Sequence, residues 1–250
     1  MILEYHKPDN LSKTLELLAR RTPMTVPMGG GTVLNQPSSK PVAVVDLQSL
    51  DLNTIIVKGN KLQLGATVTL QQLLESDVVP ALNSALRHEA TYNIRQVATI
   101  AGVLVASDGR SAITTAILAL DAELDILPDK DRINLGRYLL LQDERNPNHL
   151  ITQITIPNNI ELAYQYVART PADLPIVCAA VVQWPSGRTR VTLGGYGSAP
   201  VLAMDGQDSD GAVSAAQDAY CEAGDQWASA SYRSDVAGIL VSRCIQTFAN

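Results

Sequence analysis

Apolar positions along the chain repeat with two different periods. Between residues 10 and 20 the spacing is helical. Leu11, Leu15, Leu17 and Leu18 form one stripe, and Asn10 stands where an N-cap belongs. Residues 24–28 and 42–47 are apolar runs of strand length. The second, Val-Ala-Val-Val-Asp-Leu, is continuous, as expected of a strand covered on both faces. Residues 1–50 therefore read as a compact α/β unit. Strands over 53–57 and 61–66 flank Gly59-Asn60, a hairpin signal. Thr69 is placed to cap a helix over 70–76, and 81–88 is also helical.

The middle of the chain is small and apolar. Residues 99–105 (Thr-Ile-Ala-Gly-Val-Leu-Val) carry little side-chain bulk, and 111–120 is an Ala-rich helix leading into a strand near Leu124. A strand over 151–156 is closed by Pro157. Composition shifts at Pro157-Asn158-Asn159, which we take as the main domain boundary. Three strands follow, over 162–169, 176–184 and 189–193, with Pro185-Ser186-Gly187 as the turn between the last two. The segment 205–211 is loop-like. Helices near 212–223 and 234–248 close the chain.

Composition narrows the function. With 46% apolar and 18% charged residues, the 250-residue chain is globular rather than disordered. Its net charge of −6 argues against a non-specific nucleic-acid binder, which needs a basic face to replace counterions. The three cysteines, Cys178, Cys221 and Cys244, match no zinc or iron–sulfur spacing, and His6, His88 and His149 are dispersed. We expect no metal site. The first ten residues lack the basic start and apolar run of a signal peptide, and the longest apolar run, 176–182, is far short of the roughly 20 residues of a membrane span. A soluble, cytoplasmic protein is expected.

Two segments carry candidate chemistry. In Pro27-Met28-Gly29-Gly30-Gly31-Thr32-Val33 a strand runs straight into three glycines and a hydroxyl residue. Without Cβ atoms, such a turn lets backbone N–H groups approach an anion closely, which is what a pyrophosphate requires. A tight turn without ligand is the alternative. The segment is neither a Walker loop nor the Rossmann fingerprint. In Thr99-Ile100-Ala101-Gly102-Val103 the small residues admit a flat group or another backbone; buried helix packing is the alternative there.

The order of motifs over the chain resembles a known family. It runs Gly29-Gly30-Gly31-Thr32, Leu64-Gly65-Ala66-Thr67-Val68-Thr69, Ile94-Arg95, Thr99-Ile100-Ala101-Gly102 and 116–122. It continues with Tyr166-Val167-Ala168-Arg169, Asp173-Leu174, Leu193-Gly194-Gly195, Pro200-Val201 and Tyr232-Arg233. This resembles the FAD-binding medium subunit of the molybdenum hydroxylases, the group of carbon-monoxide dehydrogenase and the xanthine dehydrogenases.

The resemblance implies an α+β fold. A two-lobed FAD-binding domain of the para-cresol-methylhydroxylase type spans 1–160, with lobes of about 1–52 and 53–160. A small C-terminal domain over 161–250 carries a three-stranded sheet and helices. The implied cofactor is FAD. The implied FAD contacts are Met28, Gly29, Gly30, Gly31, Thr32 and Val33 on one side of the pyrophosphate, and Thr99, Ile100, Ala101, Gly102 and Val103 on the other. Ala112 and Arg169 complete the set. The implied activity is that of an oxidoreductase subunit, passing electrons from iron–sulfur clusters of a small partner through FAD to an external acceptor. A large partner carries the molybdenum cofactor. No catalytic side chain is assigned.

Three departures fall on the cofactor motifs. The family's Ala-Gly-Gly-Thr-Asp-Leu is here Gly29-Gly30-Gly31-Thr32-Val33-Leu34, and its Thr-Ile-Gly-Gly-Asn is Thr99-Ile100-Ala101-Gly102-Val103. Its following Asp stands at Ala112. Losing two side-chain hydrogen bonds at roughly 0.5–1.5 kcal/mol each, more when charge-assisted, weakens binding about ten- to several-hundredfold. Two alternatives stay open: a degenerate scaffold subunit with weak or no flavin, and a stand-alone flavin reductase of the enolpyruvyl sugar-nucleotide type. Arg169 touches a flavin phosphate or the adenine edge, or is a surface arginine; Tyr196 lies near the flavin ring or packs; Tyr232-Arg233 is structural.

Overall fold

The computed structural model describes residues 1–35, 41–141 and 149–248. The elements run β1 (Ile2–His6), α1 (Leu11–Leu18), β2 (Thr25–Met28), β3 (Val42–Asp46), β4 (Ile55–Lys58), β5 (Lys61–Gly65) and α2 (Leu70–Ser76). A 3-10 turn at Pro80–Leu82 leads into α3 (Asn83–Glu89), α4 (Tyr92–Arg95), α5 (Ile100–Ala106) and α6 (Ala112–Ala119). Then come β6 (Glu123–Leu127), β7 (Asp131–Asn134), α7 (Leu135–Leu140), β8 (Leu150–Pro157), β9 (Glu161–Val167), β10 (Val177–Gln183), β11 (Thr189–Gly194), β12 (Val201–Gly206), α8 (Ala212–Ala219) and α9 (Ala230–Gln246). The architecture is α+β, as the resemblance implies.

The chain forms two compact units. Unit 1 is Met1–Ser76, Tyr92–Ala106 and Glu123–Thr155. It holds a parallel sheet in the order β1-β3-β2 and a second sheet in the order β4-β5-β8-β6-β7. The expected caps are present: Asn10 Oδ1 accepts from Lys13 N at 2.9 Å, and Thr69 Oγ1 accepts from Gln72 N at 3.1 Å while Gln72 Oε1 accepts from Thr69 N. The apolar stripe of α1 closes over Val45, Leu47 and Leu150 through the fully buried Leu18. The strand β1, absent from the sequence reading, pairs with β3; its exposed Leu3 and Tyr5 hide the alternation that usually marks a strand.

Unit 2 is Asp77–Thr91, Ser107–Ala122 and Ile156–Asn250. Its antiparallel sheet runs β12-β11-β10-β9. One face is covered by α6 and the other by α8 and α9, whose Ala216, Tyr220, Ala237, Leu240 and Val241 share a core with Val177, Ala179, Val181 and Val191. The helix α6 is buried along its whole length. Ser111 caps it by accepting from Thr114 N at 3.1 Å. The sheet has four strands where the sequence reading has three. The added β12 is an edge strand with exposed Val201 and Leu202. The β11 ladder and Asp205, which pairs with Arg188 and Arg190 at 2.8 Å, hold it in place.

Candidate functional site

The glycine segment sits at the end of β2, where it leaves the parallel sheet. Met28 pairs with Asp46, and its carbonyl accepts from Leu47 N at 3.0 Å. The next carbonyl, of Gly29, accepts from Gln48 Nε2 at 3.4 Å. In a strand successive carbonyls point to opposite sides; here both are held by residues 47 and 48, so the alternation breaks. A trans peptide carries its N–H opposite its C=O, so the amides of Gly29 and Gly30 face away from that anchor. Gly31 has φ +68°, and its carbonyl accepts from Asn35 N at 3.1 Å, which turns the Thr32 amide outward in the same way. Among the described residues the N–H groups of Gly29, Gly30 and Thr32 have no hydrogen-bond acceptor. The segment is half-buried, with Val33 exposed. Successive unpaired amides of this kind form an anion-binding nest.

The second segment is brought against the first. A Cβ on Gly29 would lie 2.4 Å from Thr99 Oγ1, and one on Gly30 would lie 1.7 Å from the Val97 carbonyl oxygen. Gly30 is needed for the approach of two backbones, and Gly29 makes room for the buried Thr99 side chain. The 97–102 segment hangs on the Leu64–Thr69 motif: Ile100 N donates to Val68 O at 2.8 Å, Ala101 N to Ala66 O at 3.3 Å, and Val68 and Leu70 form the matching edge. Thr99 is 2% exposed, and its hydroxyl accepts from Gly102 N at 3.2 Å. Val103 N donates to Thr99 O. All four amides from Ile100 to Val103 are therefore bonded within the protein. Ile100 and Ala101 are buried, Val103 is half-buried, and Gly102 is exposed. The donors of this site come from the first segment, and the second supplies a close-packed wall.

The remaining two candidates belong to unit 2. Ala112 is fully buried in the first turn of α6. Glu89 reaches that turn, its Oε2 accepting from Ser111 Oγ and Ile113 N, each at 2.9 Å. Burial pushes the Glu89 carboxyl above the usual carboxylate range. Arg169 is exposed, pairs with Asp173 at 3.2 Å, and lies 4.5 Å over the Trp227 ring. Tyr196 packs edge-on against Tyr220 and beneath the Arg233 guanidinium. Arg233 is wholly buried, donating to the carbonyls of Ile176, Ala223 and Ala228 and to both oxygens of Asp225.

Sequence reading missed Gln48, which holds the Gly29 carbonyl. The signal was present: a polar pair, Asp46 and Gln48, ends an otherwise apolar strand next to the glycine turn. Among the described residues no group of His, Cys, Asp and Glu is arranged to hold a metal ion, and no helix is long and apolar enough to cross a membrane.

Residues 1–159 match the family described as the FAD binding domain in molybdopterin dehydrogenase. The uncharacterized protein YgfM of Escherichia coli (strain K12) is 29% identical, over 97% of this chain and 95% of its own. The carbon monoxide dehydrogenase medium chain of Afipia carboxidovorans is 26% identical, over 97% and 95%. The fold matches a chain of the Cu,Mo-CO dehydrogenase crystal structure, cyanide-inactivated form, with a TM-score of 0.82 at 22% identity, covering 98% of this chain and 97% of that one. The match spans more than half the chain and falls on the glycine turn and its wall: the chain belongs to the family of FAD-binding domains of molybdopterin dehydrogenases, and its cofactor is FAD.

Proposed function

We propose that the chain is the flavin subunit of a molybdenum-containing hydroxylase, and that it carries electrons from a partner's iron–sulfur clusters to an external acceptor. The observation that carries this reading is the row of unpaired amides at Gly29, Gly30 and Thr32. They fit a diphosphate: three donors with no acceptor of their own, glycines that bring no side chain, and a neighbouring wall that closes one side. Met28, Gly31 and Val33 shape the turn, and Thr99, Ile100, Ala101, Gly102 and Val103 form the wall. Ala112 and Arg169 are the candidates in unit 2. When bound, the flavin supplies the electron chemistry. This chain's residues hold its diphosphate and exclude water from the side packed against 97–102; no side chain here is assigned a proton.

The partners we propose are a large subunit with the molybdenum cofactor and a small subunit with iron–sulfur clusters. Support comes from the similarity to the carbon monoxide dehydrogenase medium chain of Afipia carboxidovorans. We read residues 1–160 as the flavin domain and 161–250 as a C-terminal domain. The three cysteines, all free thiols, suit a reducing cytoplasm. The test is direct. Purified chain incubated with excess FAD and desalted retains visible flavin absorbance; loss of all flavin removes the proposal. Metal analysis of the complex purified from the native source tests the partners.

A second reading, a scaffold subunit with weak flavin binding, rests on Val103 and the buried Ala112, where the resemblance leads one to expect polar side chains. Calorimetric titration with FAD separates the two, because a micromolar or tighter Kd excludes the scaffold.

A further inference from the structure

The turn 29–32 is held from one side by a short polar relay. Asp46 ends β3 and is 5% exposed. Its Oδ1 accepts from Gln48 N at 2.9 Å, a bond that bends the chain immediately after the strand. Its Oδ2 accepts from the hydroxyl of Tyr5 on β1. The bend brings Leu47 N and the Gln48 side chain to the end of β2. There they engage the carbonyls of Met28 and Gly29.

We infer that Asp46 and Gln48 are positioning residues for the cofactor's diphosphate: Asp46 fixes the bend that presents Leu47 N to the Met28 carbonyl, Gln48 holds the Gly29 carbonyl, and together they aim the amides of Gly29 and Gly30 at the ligand. The inference rests on the reading of that turn as the diphosphate site. A peptide between two glycines rotates freely, so without Gln48 the Gly29–Gly30 unit loses its orientation and binding must order it again. Charge alone opposes the arrangement. A carboxylate beside an anion site repels the ligand, so Asp46 serves the site through geometry and in spite of its sign.

The opposition of sign makes the idea testable. FAD is titrated by flavin fluorescence into the full chain and into Gln48→Ala, Gln48→Lys and Asp46→Ala, with melting of each apoprotein followed by circular dichroism. Gln48 is exposed, so its variants leave the apoprotein melting temperature unchanged. Gln48→Ala raises the Kd about tenfold, the weight of one oriented hydrogen bond. Gln48→Lys, which still donates to the Gly29 carbonyl, restores binding to within about threefold of the parent. Asp46→Ala weakens FAD, whereas removal of a like charge would tighten it. Unchanged affinity in Gln48→Ala, or tighter binding in Asp46→Ala, overturns the inference and leaves the flavin assignment standing. A parent chain that binds no FAD overturns the assignment itself, and the inference with it.

Discussion

Gly30 lies directly against the main chain of Val97. A Cβ at residue 30 would sit 1.7 Å from the Val97 carbonyl oxygen and 2.4 Å from its carbon. The obstacle is backbone, which cannot swing aside as a flexible side chain does. Gly30→Ala therefore pries the glycine turn from its wall. We expect a stability loss of about 1–3 kcal/mol in urea unfolding, the usual weight of overpacking, together with loss of FAD binding. Parent-like behaviour on both counts would show that the two segments do not touch as described.

Arg233 carries a larger share of unit 2. It is 0% exposed and binds three carbonyls and the Asp225 carboxylate. Arg233→Met strips those acceptors of their donor at once, and we expect a loss of about 3–5 kcal/mol in chemical unfolding. Asp225 is partly open to water, so Asp225→Asn costs less. Equal losses in the two variants would contradict this ranking.

His88 gives the fold a pH dependence of defined sign. Its Nε2 faces the Asp173 carbonyl at 2.9 Å and so carries the proton; its Nδ1 accepts from the Tyr164 hydroxyl at 3.0 Å. Burial lowers its pKa from 6.5. The neutral ring is thus favoured by folding. Its contribution is complete above the unfolded pKa of 6.5 and is lost as pH falls through the lower folded value. The melting temperature should fall more steeply from about pH 7 to about pH 5 in the parent than in His88→Phe, which keeps a ring against Tyr166. Parallel curves would assign the acid sensitivity elsewhere.

Ala112 and Val103 respond differently to a polar side chain. Ala112→Asp places a carboxylate at a fully buried position in the turn that already holds the Glu89 carboxyl, and an unpaired buried charge costs on the order of 3–5 kcal/mol. Val103 is half-buried in the middle of the short helix α5, so Val103→Asn changes stability by about 1 kcal/mol or less. Thermal melts of the two variants decide the matter: a stable Ala112→Asp protein would mean that position 112 is not closed from water as described.

Much of this protein is written in local pattern. The stripe of Leu11, Leu15 and Leu18, the caps Asn10 and Thr69, the hairpin at Gly59-Asn60 and the strand feeding the glycine turn all follow from rules spanning a few residues. Helix periodicity, capping and turn chemistry depend on near neighbours, so one sequence suffices to find them. Edge strands such as β1 and β12 escaped, because a strand half open to water has no strict alternation.

The tertiary structure decided which groups are spent and which are free. Sequence marks 29–32 and 99–103 alike as small and permissive. Only the folded chain shows that Ile100 to Val103 use their amides on Ala66, Val68 and Thr99, while Gly29, Gly30 and Thr32 keep theirs. It also shows Glu89 at the turn holding Ala112, 24 residues before Ile113 in the chain. A hydrogen bond over that distance is set by packing and burial, and composition at either end does not encode its partner.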